Sequence, residues 1–391
     1  MALDRKILRN LNSRIIYNQF LRKSANGKSS LVDVSDALCG VNSQNFRDSY
    51  MSYWARTSGF SEKKLLSSIK PKGELSRAWT VRGTVHTFPT RDYKIHIFGS
   101  PVERFLKSYD RYAKQLGVPD RETRVKKLYE PLLDEIGNRK VSTDFVHSFI
   151  SNQLESMGLK GRQELERGWS SEKIMGPTWR GIYELSYTGL LSNAGREGSG
   201  NLWMSTKEWL GSETGEPDFY GNAKELVRRY IDRYGPVTLQ DIAYWTGHRV
   251  STLNEIIEEL KGEISQEIFN GTSQLHYFIG ELDTDYSSPP HIVVLPRFDS
   301  LIMGYKDKAR ILDHAYLGRI SIQAGIIMPT VLVHGFVQGV WRKSTKGKTL
   351  NITVEPFRKF SDRDKSAIGR SFQKFADHEK LDLVLKFHSG H

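Results

Sequence analysis

Between Asn222 and Ile279 the apolar positions recur first at helical and then at strand spacing, and the switch divides the segment into elements. Leu226, Val227, Tyr230 and Ile231 fall on one helical face while Arg228, Arg229 and Arg233 point elsewhere, and Gly235 with Pro236 stops the run. Thr238 stands three residues before Asp241, the spacing of a capping box, and opens a second helix that ends near Trp245 at Thr246 and Gly247. A third helix is predicted from Ser251 or Thr252, with Glu255 as a further capping-box partner and Leu253, Ile256, Ile257 and Leu260 turned inward. Two strand-like runs, Ile264 to Phe269 and Gln274 to Ile279, flank Asn270 and Gly271, the dipeptide that most readily forms a hairpin turn. Three helices followed by a hairpin is the order of a winged helix, with Ser251 to Leu260 in the recognition position.

The same order recurs upstream. Ser30 to Leu38, Asn45 to Ser58 and Ser61 to Ile69 read as helices, and Leu75 to Val81 folds back on Thr84 to Phe88 at Arg82 and Gly83. In the middle of the chain, Arg124 to Ile136, Ser142 to Met157 and Pro177 to Thr188 precede two short strands separated by the loop Asn193 to Asn201. Gly195, Gly198 and Gly200 in that loop follow no buried strand and open no helix, so they read as a wing tip and not as a phosphate cradle. From His291 the texture changes to strands: His291 to Leu295, Ser300 to Tyr305, Thr330 to His334, Gly339 to Lys343 and Leu350 to Val354. A capped helix from Ser361 to Asp377 and a strand from Leu381 to Phe387 follow. The expected fold is α+β: tandem winged helices and a small β-rich, barrel-like domain. Its boundaries are 1–120 for the first winged helix with an N-terminal helix, 121–215 for the second, 216–285 for the third and 286–391 for the β-rich part, with linkers near Gly211 to Gly221 and Asp283 to Pro290.

Charge adds a partner to this picture. Fifty-seven Lys and Arg against 45 Asp and Glu leave +12, which predicts attraction to polyanions, nucleic acid foremost, weakening with salt. The alternative is charge that merely solubilises. The recognition-position helix carries Glu255, Glu258 and Glu259, which repel phosphates, so that module reads as scaffold and DNA contact must come from elsewhere. Cys39 is the one cysteine, which excludes an internal disulfide and a Cys-rich zinc site and fits a reducing compartment. Met1 to Asn10 lacks the apolar core of a signal peptide, and no stretch reaches the roughly 20 apolar residues of a membrane span. These readings place the protein in the cytoplasm, at the nucleoid, with no membrane and no obligate protein partner. The 11 histidines show no metal-binding spacing and no dinucleotide fingerprint follows a strand, so no cofactor and no metal are expected.

Six stretches together resemble the winged-helix DNA glycosylase family that includes AlkZ and YcaQ, enzymes associated with alkylated bases and interstrand crosslinks. They are Gly40 to Gln44 (GVNSQ), Trp54 to Phe60 (WARTSGF), Val81 to Phe88 (VRGTVHTF), Tyr234 to Gly247 (YGPVTLQDIAYWTG), Leu295 to Tyr305 (LPRFDSLIMGY) and Thr330 to Arg342 (TVLVHGFVQGVWR). The family's catalytic signature is a Gln, an apolar residue, then Gln or Asp. At that position this chain carries Asn42, Ser43 and Gln44. The second amide is retained, the first is one methylene shorter, a reach of about 1.5 Å less, and the middle residue is polar.

The resemblance implies a monofunctional glycosylase acting on double-stranded, damaged DNA, with Asn42 and Gln44 as the catalytic pair. An amide cannot take a proton at neutral pH, but it can orient a water by hydrogen bonds. Such help suffices for an N3- or N7-alkylated purine, which already carries positive charge and leaves readily, and not for a normal base. The bland alternative is that Asn42 and Gln44 cap the helix near Asn45. Cys39 has no histidine neighbour in sequence and reads as packing. Arg77, Arg82 and His86 on the first hairpin, with Arg297, Arg342, Lys343 and Lys346 further on, are the candidate DNA contacts. Lys348 crowds the same strand end. Arg297 with Asp299 reads equally as a buried ion pair. In the resembled family a hairpin of this region is thought to probe the duplex, and its Asp-Gly turn reads His334 and Gly335 here. A non-catalytic winged-helix DNA binder, either a damage sensor or a transcription regulator, is the rival reading, resting on the departure at Asn42 and Ser43.

Overall fold

The computed structural model describes residues 5–21, 29–115, 117–159, 177–198, 200–269, 272–282, 289–322 and 325–388. The chain divides into two units: Met1–Glu62 with Val227–His391, and Lys63–Leu226. Helices and strands alternate in both, so the α+β class holds. The first expected winged helix is divided at Glu62 and Lys63 between the two units.

In the first unit lie helices α1 (Arg5–Asn18), α2 (Leu31–Ala37) and α3 (Phe46–Arg56). Both later helices start where the sequence supplies a cap: the Ser30 hydroxyl accepts Asp33 N–H, and the Asn45 side chain accepts Arg47 N–H. The capping box of Thr238 and Asp241 forms and starts the helix Leu239–Thr246. The box expected at Ser251 or Thr252 with Glu255 does not form. That helix runs Val250–Glu259 behind Arg249, which makes no side-chain cap. Strands Ser265–Ile268 and Leu275–Phe278 pair antiparallel, with Val237–Thr238 on the other edge of Leu275–Phe278. The Asn270–Gly271 turn and residues 283–288 of the expected linker lie outside the described residues.

The C-terminal strands are Ile292–Leu295, Thr330–Val333, Phe336–Lys346, Thr349–Pro356 and Asp382–Phe387, and they lie side by side in that order. The first four pair antiparallel and the last runs parallel to its neighbour after the helix Asp362–Glu379. This is an open sheet with two edges, so the expected barrel-like closure is not met among the described residues. Ser300 to Tyr305, expected as a strand, begins instead with the short helix Ser300–Met303, because the Asp299 carboxylate accepts Leu301 N–H and caps a helical turn. At the tight turn, His334 and Gly335 both take left-handed backbone, φ 50° and 84°, as a two-residue hairpin connection demands.

Helix α3 packs on this sheet. Met51 of α3, Val294, Val331, Trp341, Val354 and Phe372 share one core, and the Trp341 indole N–H donates to Leu295 O at 3.0 Å. One face of α3 also carries Asp48, Ser52 and Arg56 at four-residue intervals, the spacing that lines side chains up along a helix. All three bond the segment Arg297–Asp299. Arg297 Nε meets Asp48 Oδ2 at 3.2 Å, Ser52 donates to Asp299 Oδ2 at 2.9 Å, and Arg56 grips both Asp299 oxygens at 2.8 Å each. Phe298 between them sits at φ 56°, a backbone reversal within the segment. Arg297 and Asp299 are therefore not each other's partners, as the sequence reading allowed. Each is paired with α3, one near its start and one near its end.

The second unit holds the hairpin Leu75–Trp79 with Val85–Pro89, the helices Val102–Gln115, Thr143–Ser156 and Pro177–Tyr187, and the strands Leu191–Glu197 and Gly200–Ser205 joined by Val141–Ser142. The expected wing loop is thus mostly strand, with a register shift between Asn193 and Gly195. Trp79, Tyr183 and Trp203 stack in its core, ring centroids 4.0 and 5.3 Å from Trp79. Arg124 and Glu184, both fully buried, pair at 2.7 Å, and the Tyr129 hydroxyl also donates to Glu184.

The first hairpin turns at Arg82, φ 59°, and Gly83, φ 68°. Its cations point inward. Arg77 is buried and donates to Asn193 Oδ1 at 3.0 Å. His86 is buried beside Thr80, Nδ1 to Oγ1 2.7 Å, and burial, then the nearby Arg82 and His96 charges, lower it from 6.5 to about 3.

Two predictions follow from this packing. Asp299→Ala strands the Arg56 guanidinium and should lower unfolding stability by about 3–5 kcal/mol in urea, whereas Arg297→Ala, at a half-exposed pair, should cost less than about 1 kcal/mol. His86 stays neutral when folded but takes up a proton when unfolded below 6.5. Its depressed value means stability present above 6.5 is lost as pH falls, by about 1.4 kcal/mol per unit. The loss between pH 6 and 5 should be shallower for His86→Gln, and equal slopes would refute a neutral His86.

Candidate active site

Helix α2 ends in a reversal written into its last residues. Cys39 N–H donates to Asp36 O at 2.9 Å and Gly40 N–H to Ser35 O at 2.8 Å, the paired bonds of a Schellman turn. Cys39 occupies the left-handed position at φ 47° and Gly40 follows at φ 96°. The thiol is buried, and desolvation holds it far above its ordinary range, so it stays protonated at neutral pH. It is packing, as read.

The chain then runs extended through Val41 and Asn42 and bends at Gln44. Ser43 is fully buried and its hydroxyl donates to Val41 O at 3.0 Å, which satisfies the polar group standing where the family carries an apolar one. Its amide neighbours lie nearer the surface: Asn42 is half-buried and Gln44 exposed. Asn42 Oδ1 accepts the Gln44 backbone N–H at 3.3 Å, bracing the residue that follows. The cap of α3 is supplied by Asn45, at 3.0 Å from Arg47 N, so neither amide of the pair is the α3 cap.

Four residues past Gln44, Asp48 sits in the first turn of α3, its side chain 13% exposed. Burial raises its carboxyl above the ordinary value, against the opposing pull of Arg297 and Lys343. Lys343, on the strand Phe336–Lys346, lies with its ammonium 5.5 Å from the Phe375 ring centroid. Its side chain remains partly exposed, yet desolvation there lowers it below the ordinary lysine value, against Asp48 and Glu379. Asn42, Gln44, Asp48, Arg297 and Lys343 thus belong to one unit, with Asp48 drawing Arg297 and Lys343 around the start of α3. Arg342, on the opposite face of its strand by alternation, is exposed and meets Glu355 at 2.8 Å, and Lys346 is exposed near the strand's end. Arg77, Arg82 and His86 belong to the other unit, the first and last of them buried.

Sequence reasoning missed Asp48. The available signal was its place in a series with Ser52 and Arg56 on α3, but nothing along the chain shows that Arg297 returns to meet it. The arrangement can do two things chemically: hold a water by amide hydrogen bonds, and set a fixed negative charge beside a developing cation.

A model of the DNA glycosylase AlkZ-like family matches residues 36–378. No curated protein matches the chain. Among solved structures, the DNA glycosylase AlkZ of Streptomyces sahachiroi aligns with a TM-score of 0.75 over 96% of this chain and 98% of that one, at 19% identity, a likeness of fold. The family match includes the amide pair, α3 and the Arg297–Asp299 segment, and on it this chain belongs to the AlkZ-like DNA glycosylase family.

Proposed function

We propose that this glycosylase is monofunctional and hydrolyses the N-glycosidic bond of alkylated purines in double-stranded DNA, unhooking interstrand crosslinks built on such bases. The observation that carries the reading is the placement of Asn42 and Gln44 toward the surface, just ahead of a helix that carries Asp48 in its first turn and is pinned at both ends. Gln44 holds the water and Asn42 fixes the backbone that presents it. Asp48 stabilises the deoxyribose as it becomes cation-like, a service that grows with charge in the transition state. The positively charged leaving base needs no strong acid. Arg77 and His86 are buried, so phosphate contact is assigned to the exposed Arg342, Lys343 and Lys346 with the half-exposed Arg297. The winged-helix reading is kept for the segments 121–215 and 216–285, supported by the helices and antiparallel strands among their described residues, and the enzyme acts on nucleoid DNA without a cofactor.

Purified protein incubated with duplex containing N7-methylguanine, then treated with alkali to cut abasic sites, tests this. Gln44→Ala should slow release by about a hundredfold and Asn42→Ala by about tenfold. Asp48→Asn should slow it by about tenfold while leaving unfolding stability undiminished, because burial already works against that charge. Equal cleavage by wild type and the Asn42→Ala, Gln44→Ala double variant would reject the assignment, and duplex binding without any release would favour the non-catalytic binder.

A further inference from the structure

The first unit contains a concave site that the glycosylase reading does not use. A cavity of about 930 Å³ is lined by Thr238, Gln240, His276, Tyr305, Lys306 and Arg310, among others, all within that unit. Arg310 is the unusual member. It is only 9% exposed, and its guanidinium lies over the Tyr305 ring with 4.9 Å to the centroid. Its Nη1 donates to Pro236 O, and its Nε and Nη2 have no hydrogen-bond partner among the described residues. Nε and Nη2 share one edge of the planar group, the side-on fork that grips two oxygens of a carboxylate or phosphate at once. Tyr305 covers the face of the guanidinium and leaves that edge unmatched. A buried cation with two nitrogens left without hydrogen bonds is costly, so a partner is expected there.

The acidic side chains of the lining do not supply it. Asp241 accepts Thr238 N–H and hydroxyl at 3.0 and 2.8 Å and Lys306 N–H at 2.8 Å. Asp307 accepts Ala309 N–H at 2.8 Å and stands 3.5 Å from His314 Nε2. Lys306 and Lys308 add two cations to the same wall. The Lys306 ammonium donates to Gln240 Oε1 at 3.1 Å, and that of Lys308 to Tyr305 O at 2.8 Å. We propose that this cavity binds a phosphate ester, with the Nε–Nη2 edge of Arg310 taking two of its oxygens and Lys306 a third. The two donors of the fork and the Lys306 ammonium make three points of contact, one more than the two oxygens of a carboxylate and within the reach of a phosphate. The inference rests on the geometry of this cavity and not on the glycosylase chemistry.

The test is a titration of inorganic phosphate with the full chain at constant ionic strength in chloride, read by phosphorus-31 line width. Saturable broadening is expected for wild type. Arg310→Lys keeps the charge but loses the fork and should weaken binding by about tenfold or more, and the exposed Lys306→Ala should weaken it by a few-fold. Absence of saturable broadening in wild type, or undiminished binding by either variant, would overturn the site. Should Arg310→Lys fail to fold, the wild-type and Lys306→Ala titrations decide. Displacement of bound phosphate by an undamaged duplex would support the site with the DNA backbone as the source. Phosphate that stays bound beside the duplex would support it with a free phosphate ester as the source.

Discussion

The account depends on the grip of the Arg297–Asp299 segment on α3. A bidentate Arg56–Asp299 pair, fully buried, locks the last turn of the helix, and Asp48–Arg297 holds the first. A buried pair of this kind contributes little net stability, since desolvation offsets much of the attraction, but it tolerates only one geometry. That intolerance is what the site needs. Helix α3 begins directly after the amide pair, so whatever fixes the start of α3 fixes where Asn42 and Gln44 stand.

The two ends of the grip differ in kind. At Arg56 and Asp299 water is excluded, and both carboxylate oxygens are bonded, with Ser52 and Leu301 N–H donating beside the guanidinium. At Asp48 the carboxyl is raised by burial even with cations close by, so its charge is held at an energetic disadvantage. Structural pairs are generally optimised and functional charges often are not, a contrast that supports the proposed chemical role of Asp48 beside the architectural one of Asp299. The shorter Asn42 fits the same division: it braces the backbone, leaving the longer Gln44 to reach solvent.

Local features were mostly legible in the sequence where the cause was local, the capping box at Ser251 or Thr252 excepted. The caps at Ser30, Asn45, Thr238 and Ser361 and the strand periods of the C-terminal sheet come from neighbouring residues, and these elements form as expected. Ser300 to Tyr305 was misread because its apolar run fits either period, and Asp299 as a cap decided for helix. The partners of Arg297 and Asp299 lie 249 and 243 residues away, beyond any pattern along the chain. The inward turn of Arg77 and His86 was hidden for a similar reason, since the outward face of a hairpin cannot be told until the rest of the core is placed. At Asn42 to Gln44 the family signature located the motif, and the buried Ser43 explains how a polar middle residue is accommodated.

The most direct measurement is single-turnover release of N7-methylguanine at saturating enzyme by wild type, Gln44→Ala and Gln44→Glu. A residue that steers water should be replaceable by a carboxylate, the more usual holder, so Gln44→Glu is predicted to keep or exceed the wild-type rate while Gln44→Ala loses it. Release at the wild-type rate by both variants would contradict a role for Gln44 in the chemistry.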